Sequence, residues 1–98
     1  MHKTLTSHPE GITSLGRARP GDAGVIAEVR VDHAASHGVD GAELERRLLE
    51  FGFVEGARVK VLHQGAISAD PIAVRVDDMR VALRRRDAED IWLRLDGQ

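Results

Sequence analysis

Between residues 44 and 61 the apolar side chains change period, and that change constrains the fold more than any other feature. Leu44, Leu48 and Phe51 recur at i, i+4 and i+7, with Glu45, Arg46, Arg47 and Glu50 on the other side, the pattern of an amphipathic helix. Beyond Gly52 and Gly56, Val59 and Val61 alternate with Arg58 and Lys60, the pattern of a half-buried strand. Gly52 stands where a helix ends in left-handed geometry. Phe53 is placed to tuck the exit under the apolar face, and Gly56 to turn the chain into the strand. At the other end Asp40 is placed to cap the free N–H groups, with Glu43 three residues later and Val39 able to staple onto Leu44. The spacing predicts a helix over residues 40–51.

Period two dominates the rest. Val25, Ala27, Val29 and Val31 alternate with Ile26, Glu28 and Arg30; Ile72, Val74 and Val76 with Ala73 and Arg75; Met79, Val81 and Leu83 with Arg80 and Ala82; Ile91, Leu93 and Leu95 with Trp92 and Arg94. Taking the larger set in each run as inward leaves Ile26 and Trp92 outward, and His63 in the inward phase of Val59 and Val61. Asp77-Asp78 reads as a tight connection, and residues 87–90 leave room only for a 3₁₀ turn. About five short antiparallel strands with one helix predict a mainly β fold, curled into a small barrel that hides its edges. Residues 1–22 are polar and turn-rich, with Leu5, Ile12 and Leu15 as their large apolar residues, and read as a loosely packed leader. Residues 23–98 are the barrel domain.

A chain of 98 residues supplies one domain with a thin core, burying roughly 60–70% of its unfolded surface. With 42% hydrophobic and 31% charged residues it has the balance of a folded soluble protein. A net charge of −2 gives no bulk attraction to nucleic acid or anionic lipid. The absence of cysteine removes disulfides, thiolate metal sites and Cys nucleophiles together. No apolar run approaches the ~18 residues of a membrane span, and residues 1–10 lack an apolar signal-peptide core. The expectation is a cytoplasmic protein with no membrane insertion.

Few residues can carry chemistry. Residues 11–18, GITSLGRA, have the glycine spacing of a phosphate-binding loop. Arg17 and Ala18 stand where such a loop needs lysine and a hydroxyl, so nucleotide hydrolysis is not expected. His33 and His37 have the i, i+4 spacing of paired imidazoles, but Ala34 replaces the glutamate of a zinc protease. They are weak metal candidates and read as solvated loop histidines, since a useful site needs three or four ligands. Arg84, Arg85 and Arg86 are followed at once by Asp87, Glu89 and Asp90, which neutralise the run locally. With Trp92 as the one aromatic within reach, nucleic-acid binding is not expected. No catalytic set and no cofactor site can be placed, so the chain reads as a non-enzyme whose function lies in a contact surface. The apolar candidates are Ile26 with Trp92, brought together if the first and last strands pair, and Phe51 with Phe53 at the helix exit. Trp92 is favoured, because the phenylalanines are expected to be consumed in closing the helix onto the barrel. The leader could instead cover Trp92.

Three stretches in order carry a family resemblance: RRLLEFGFVEGARVKVL, ADPIAVRV and VALRRRDAEDIWL. From Ala23 onward the chain resembles FeoA, the small cytosolic protein encoded with the bacterial ferrous iron transporter FeoB. The matching residues are Phe51-Gly52-Phe53, Glu55-Gly56, Val59 and Val61, Ala69-Asp70-Pro71-Ile72, and Ala82-Leu83-Arg84. The departures are Phe51 for the usual Leu, Glu55 for Pro, Ala69 for Gly, Asp77-Asp78 for a glycine turn, and a longer loop at residues 32–39. Asp70 and Pro71 are expected to be structural, fixing the entry to their strand. The resemblance implies an SH3-like barrel that serves ferrous iron uptake by binding or regulating FeoB, through the transporter's cytosolic GTP-binding domain. The same module ends iron-dependent repressors of the DtxR type, but no helix-turn-helix precedes it here. The alternative is a stand-alone metal-sensing or adaptor barrel serving another protein. The oligomeric state stays open.

Overall fold

The change of period at Gly52 is the junction between the helix and the sheet. In the computed structural model, which describes residues 11–31 and 41–97, α1 spans Gly41–Glu50. It buries Leu44 and Leu48, while Phe51 packs half-buried against the core edge. Gly52 has φ +95°. Its N–H donates to Leu49 O at 3.0 Å, and the Phe53 N–H donates to Leu48 O at 3.0 Å, the paired bonds of a Schellman motif. Phe53 is fully buried, as the exit geometry predicts. Gly56, at φ +89°, makes the second turn. Asp40, the predicted cap, lies outside the described residues, as do His33 and His37.

Among the described residues six strands, not five, form one antiparallel sheet: β1 Ile12–Ser14, β2 Ala23–Val29, β3 Arg58–Gln64, β4 Ile72–Val76, β5 Met79–Leu83 and β6 Ile91–Leu95, in the order β1-β6-β2-β3-β4-β5. The extra strand comes from the expected leader. Ile12 sits opposite Arg94 and Ser14 opposite Trp92. Leu15 and Ala18 beyond it are buried, so the stretch is anchored in the core through these two side chains rather than packing loosely. Burial of Leu15 drives this, since a fully buried leucine is worth roughly 1.5–3 kcal/mol. Two 3₁₀ turns, Leu15–Arg17 and Arg85–Ala88, meet below it. Ser14 joins them: its Oγ accepts from Gly16 N at 3.1 Å and donates to Glu89 O at 2.8 Å. A Cβ on Gly16 would stand 2.6 Å from Arg85 O. That glycine of GITSLG therefore serves the contact between the two turns.

Bulges correct the phase in two strands. β2 pairs β6 with Ile26 opposite Leu93 and Glu28 opposite Trp92, the register shifting between Ile26 and Glu28. One extra residue reverses the alternation. Ile26 therefore points inward and is buried, while Val29 and Val31 beyond the bulge still pack against the core. The predicted outward Ile26 is thus wrong. β3 shifts register between Val61 and His63, and His63 is exposed rather than inward.

The connection from β3 to β4 holds two successive non-glycine residues in left-handed geometry, Ser68 at φ 60° and Ala69 at φ 57°, followed by a cis Asp70-Pro71 bond. An L side chain in that region costs roughly 1–2 kcal/mol. Ala69→Gly relieves it at some entropic cost, so the domain should gain about 0.5–1 kcal/mol. A urea midpoint equal to or below wild type would contradict this.

Candidate contact surface

The helix exit and the β4–β5 hairpin meet in a cleft. Phe51, Gly52, Val76 and Met79 line a cavity of about 460 Å³, together with Glu50, Asp77 and Asp78. Met79 is 49% exposed, and Leu49 at 53% and Val54 at 43% flank the same exit. The hairpin tip is anchored rather than loose. Asp77, at φ 51°, donates its N–H to Arg58 O at 2.8 Å, and its Oδ1 accepts from Arg58 N at 3.2 Å. Arg58 in turn pairs with Asp96.

Along α1 the outer face is ion-paired. Arg46 bridges Glu43 and Glu50, the latter at 2.7 Å. The hydrogen bond from Arg46 holds the Glu43 carboxyl below its ordinary pKa, with the charges of Arg46 and Arg47 adding to it against desolvation. Such exposed pairs add little stability, and the cleft beside them is the apolar feature of this end.

The four apolar contact residues expected from sequence separate. Phe53 and Ile26 are buried and cannot meet a partner in the folded domain. Phe51 is half-buried in the cleft. Trp92 is half-buried on β6, with Ser14 of β1 and Glu28 of β2 opposite it, so Ile26 is not its neighbour. Sequence reasoning missed Met79. Its inward phase holds, since it lies opposite the buried Val76, but it abuts the two-residue turn at the rim, where the sheet leaves it 49% exposed.

Asp70 and Pro71 belong to a braced loop. Asp70 Oδ1 accepts the Arg85 N–H at 2.9 Å. The Arg85 guanidinium donates to Ala69 O at 2.7 Å, Gly16 O at 3.1 Å, Ala18 O at 2.7 Å and Gln64 Oε1 at 2.9 Å. The middle arginine of the triple is a structural hub, which the charge run concealed. Among the described residues no group of three or more His, Cys, Asp or Glu side chains could hold a metal ion. No helix among them is long and apolar enough to cross a membrane.

The family model for the FeoA domain matches residues 13–95. The chain belongs to the FeoA family. The matched stretch begins inside β1, within the segment that had read as a leader. The chain is 40% identical over 81 residues to an Fe(2+) transport protein A/Fe(2+) transporter FeoB fusion protein of Porphyromonas gingivalis, covering 83% of this chain and 8% of that protein's length. FeoA from Chlorobium tepidum is similar in structure, with TM-score 0.65 and 33% identity, covering 88% of this chain and 73% of the other. Stenotrophomonas maltophilia FeoA, a prokaryotic SH3 domain protein solved with zinc, aligns at TM-score 0.65 and 28% identity over 87% of this chain and 91% of its own.

Proposed function

We propose that this FeoA domain is a cytoplasmic accessory of bacterial ferrous iron uptake that binds the cytosolic part of an FeoB-type membrane transporter. One observation carries the reading: in the Porphyromonas gingivalis relative the matching domain is joined covalently to FeoB, which keeps the two at high effective concentration. We read the six-stranded sheet as an SH3-like barrel, whose role is to hold contact residues rigidly. The cleft of Phe51 and Met79 makes the contact, because a half-buried aromatic beside exposed apolar side chains offers an anchor site with a polar rim. Trp92 is the second candidate.

The exposed residue gives the clean test. Met79→Glu should leave the fold intact and weaken binding to the purified cytosolic region of the organism's FeoB-type transporter by about thirtyfold, the effect of losing roughly 2 kcal/mol at an interface. Trp92→Ala, if folded, should bind as wild type. The reverse result, with Trp92→Ala weakened and Met79→Glu unchanged, moves the contact to β6. Absence of binding by the wild-type domain in calorimetry rejects the accessory reading itself.

A further inference from the structure

Across β3, β4 and β5 the register sets Lys60 opposite Arg75, and Arg75 opposite Arg80. All three are exposed, while Val59, Val61, Val74, Val76 and Val81 are buried on the other face. Among the described residues none of the three cations makes an ion pair. Arg30 pairs with Glu28, Arg46 with Glu43 and Glu50, and Arg58 with Asp96. Other exposed arginines such as Arg47 and Arg84 also stand without an ion pair among the described residues, but none of them faces a like charge in the strand register. Like charges directly opposite on neighbouring strands repel. The row therefore works against folding and gains nothing within the described chain. Beside it lies Ala73 opposite Ala82, with the exposed His63 opposite Ala73 on β3, a shelf of two small side chains closed at one end by an imidazole.

We propose that Lys60, Arg75 and Arg80 form a docking face for an acidic helix of a partner protein. Neighbouring strands lie about 4.8 Å apart, and carboxylates at i and i+4 on a helix lie about 5–6 Å apart. A helix crossing the strands thus sets one acid against each cation, its flank resting on the alanine shelf. An extended segment spaces same-face side chains nearer 6.6 Å and matches the row less well. Arginine also suits carboxylates, which it grips with two parallel hydrogen bonds. A membrane or nucleic-acid backbone fits poorly, because Asp77 and Asp78 line the same cavity, of about 640 Å³, as Lys60 and Arg75. A continuous layer of phosphates would meet those acids as well. The proposal deepens the transporter reading and rests on it for the partner's identity: the helix belongs to the cytosolic part of FeoB.

Arg75→Glu tests it, since a carboxylate between Lys60 and Arg80 reverses the centre of the row. The variant should melt at or above the wild-type temperature, having exchanged repulsion for attraction, yet bind the transporter's cytosolic region roughly a hundredfold more weakly. Wild-type affinity should fall about tenfold between about 50 and about 300 mM salt. Equal binding by wild type and Arg75→Glu overturns the cation row and leaves the transporter reading standing. A wild type that ignores the transporter region but binds a synthetic helix with glutamate at i, i+4, i+8, in an Arg75-dependent way, keeps the row and rejects the transporter. Sedimentation with phosphatidylcholine vesicles containing about one-third phosphatidylserine, without binding to either protein probe, overturns the proposal in favour of a membrane.

Discussion

Replacing Phe53 with alanine should destabilise the domain by about 3–5 kcal/mol, the range for removing a buried aromatic side chain. Phe53 has 0% exposure and heads the fully buried side chains by volume. With Phe51 and Trp92 as the other aromatics, the core is built from branched aliphatics, which lose entropy and collide if they shift to refill so large a void. The position also closes the helix: its N–H bonds to Leu48 O, and the Leu48 side chain is buried as well, the hydrophobic contact that accompanies this cap. The loss therefore falls on packing and on the α1 exit together. A domain of this size has about 5–15 kcal/mol in hand, so a third or more of it is at stake. Urea unfolding should show the midpoint falling at constant slope. Leu48→Ala, at about 2–5 kcal/mol, should be non-additive with it because the two share one cap. A midpoint within error of wild type would mean that Phe53 does not seal the helix onto the sheet.

What could be read from the sequence was local, and what could not was set by distant pairing. The helix over residues 40–51 is observed as Gly41–Glu50, because amphipathic period and a left-handed glycine are properties of neighbours along the chain. Ile26 fails for the opposite reason. Its strand alternates faultlessly on paper, but the shift between Ile26 and Glu28 is fixed by the partner strand, and one inserted residue exchanges the faces. Strand β1 has three residues, fewer than any periodic pattern needs, and exists because Leu15 finds the core. The surface was harder still. Phe51 was named, but Met79 was hidden by its place in an alternating run. The cation row needs the register of three strands before Lys60, Arg75 and Arg80 become neighbours.

The triple arginine offers the sharpest contrast between charge and structure. Alanine at position 85 should destabilise the domain by about 2–4 kcal/mol, whereas alanine at 84 or 86 should stay within about 0.5 kcal/mol of wild type, as surface substitutions do. Arg84 and Arg86 are exposed, and Arg86 has a distant pairing with Asp87 at 3.9 Å, which is worth little. Arg85 is half-buried and ties four segments: the 3₁₀ turn after β1 through Gly16 O and Ala18 O, the end of β3 through Gln64, the left-handed loop through Ala69 O, and β4 entry through its own N–H on Asp70. A hydrogen bond from a charged donor contributes roughly 1.5–3 kcal/mol. Water reaching a half-buried site recovers part of each, so the sum is far below four times that. Arg85→Lys should rescue little, because an ammonium is a single point and cannot span carbonyls on opposite sides of a planar fork. The N–H bond to Asp70 comes from the backbone and survives both changes, so the loss should appear in the segments reached by the guanidinium. Hydrogen exchange should rise in residues 64–70 and 16–18 and stay unchanged in α1. Full rescue by lysine, or equal losses at positions 84, 85 and 86, would show that the run acts as charge alone.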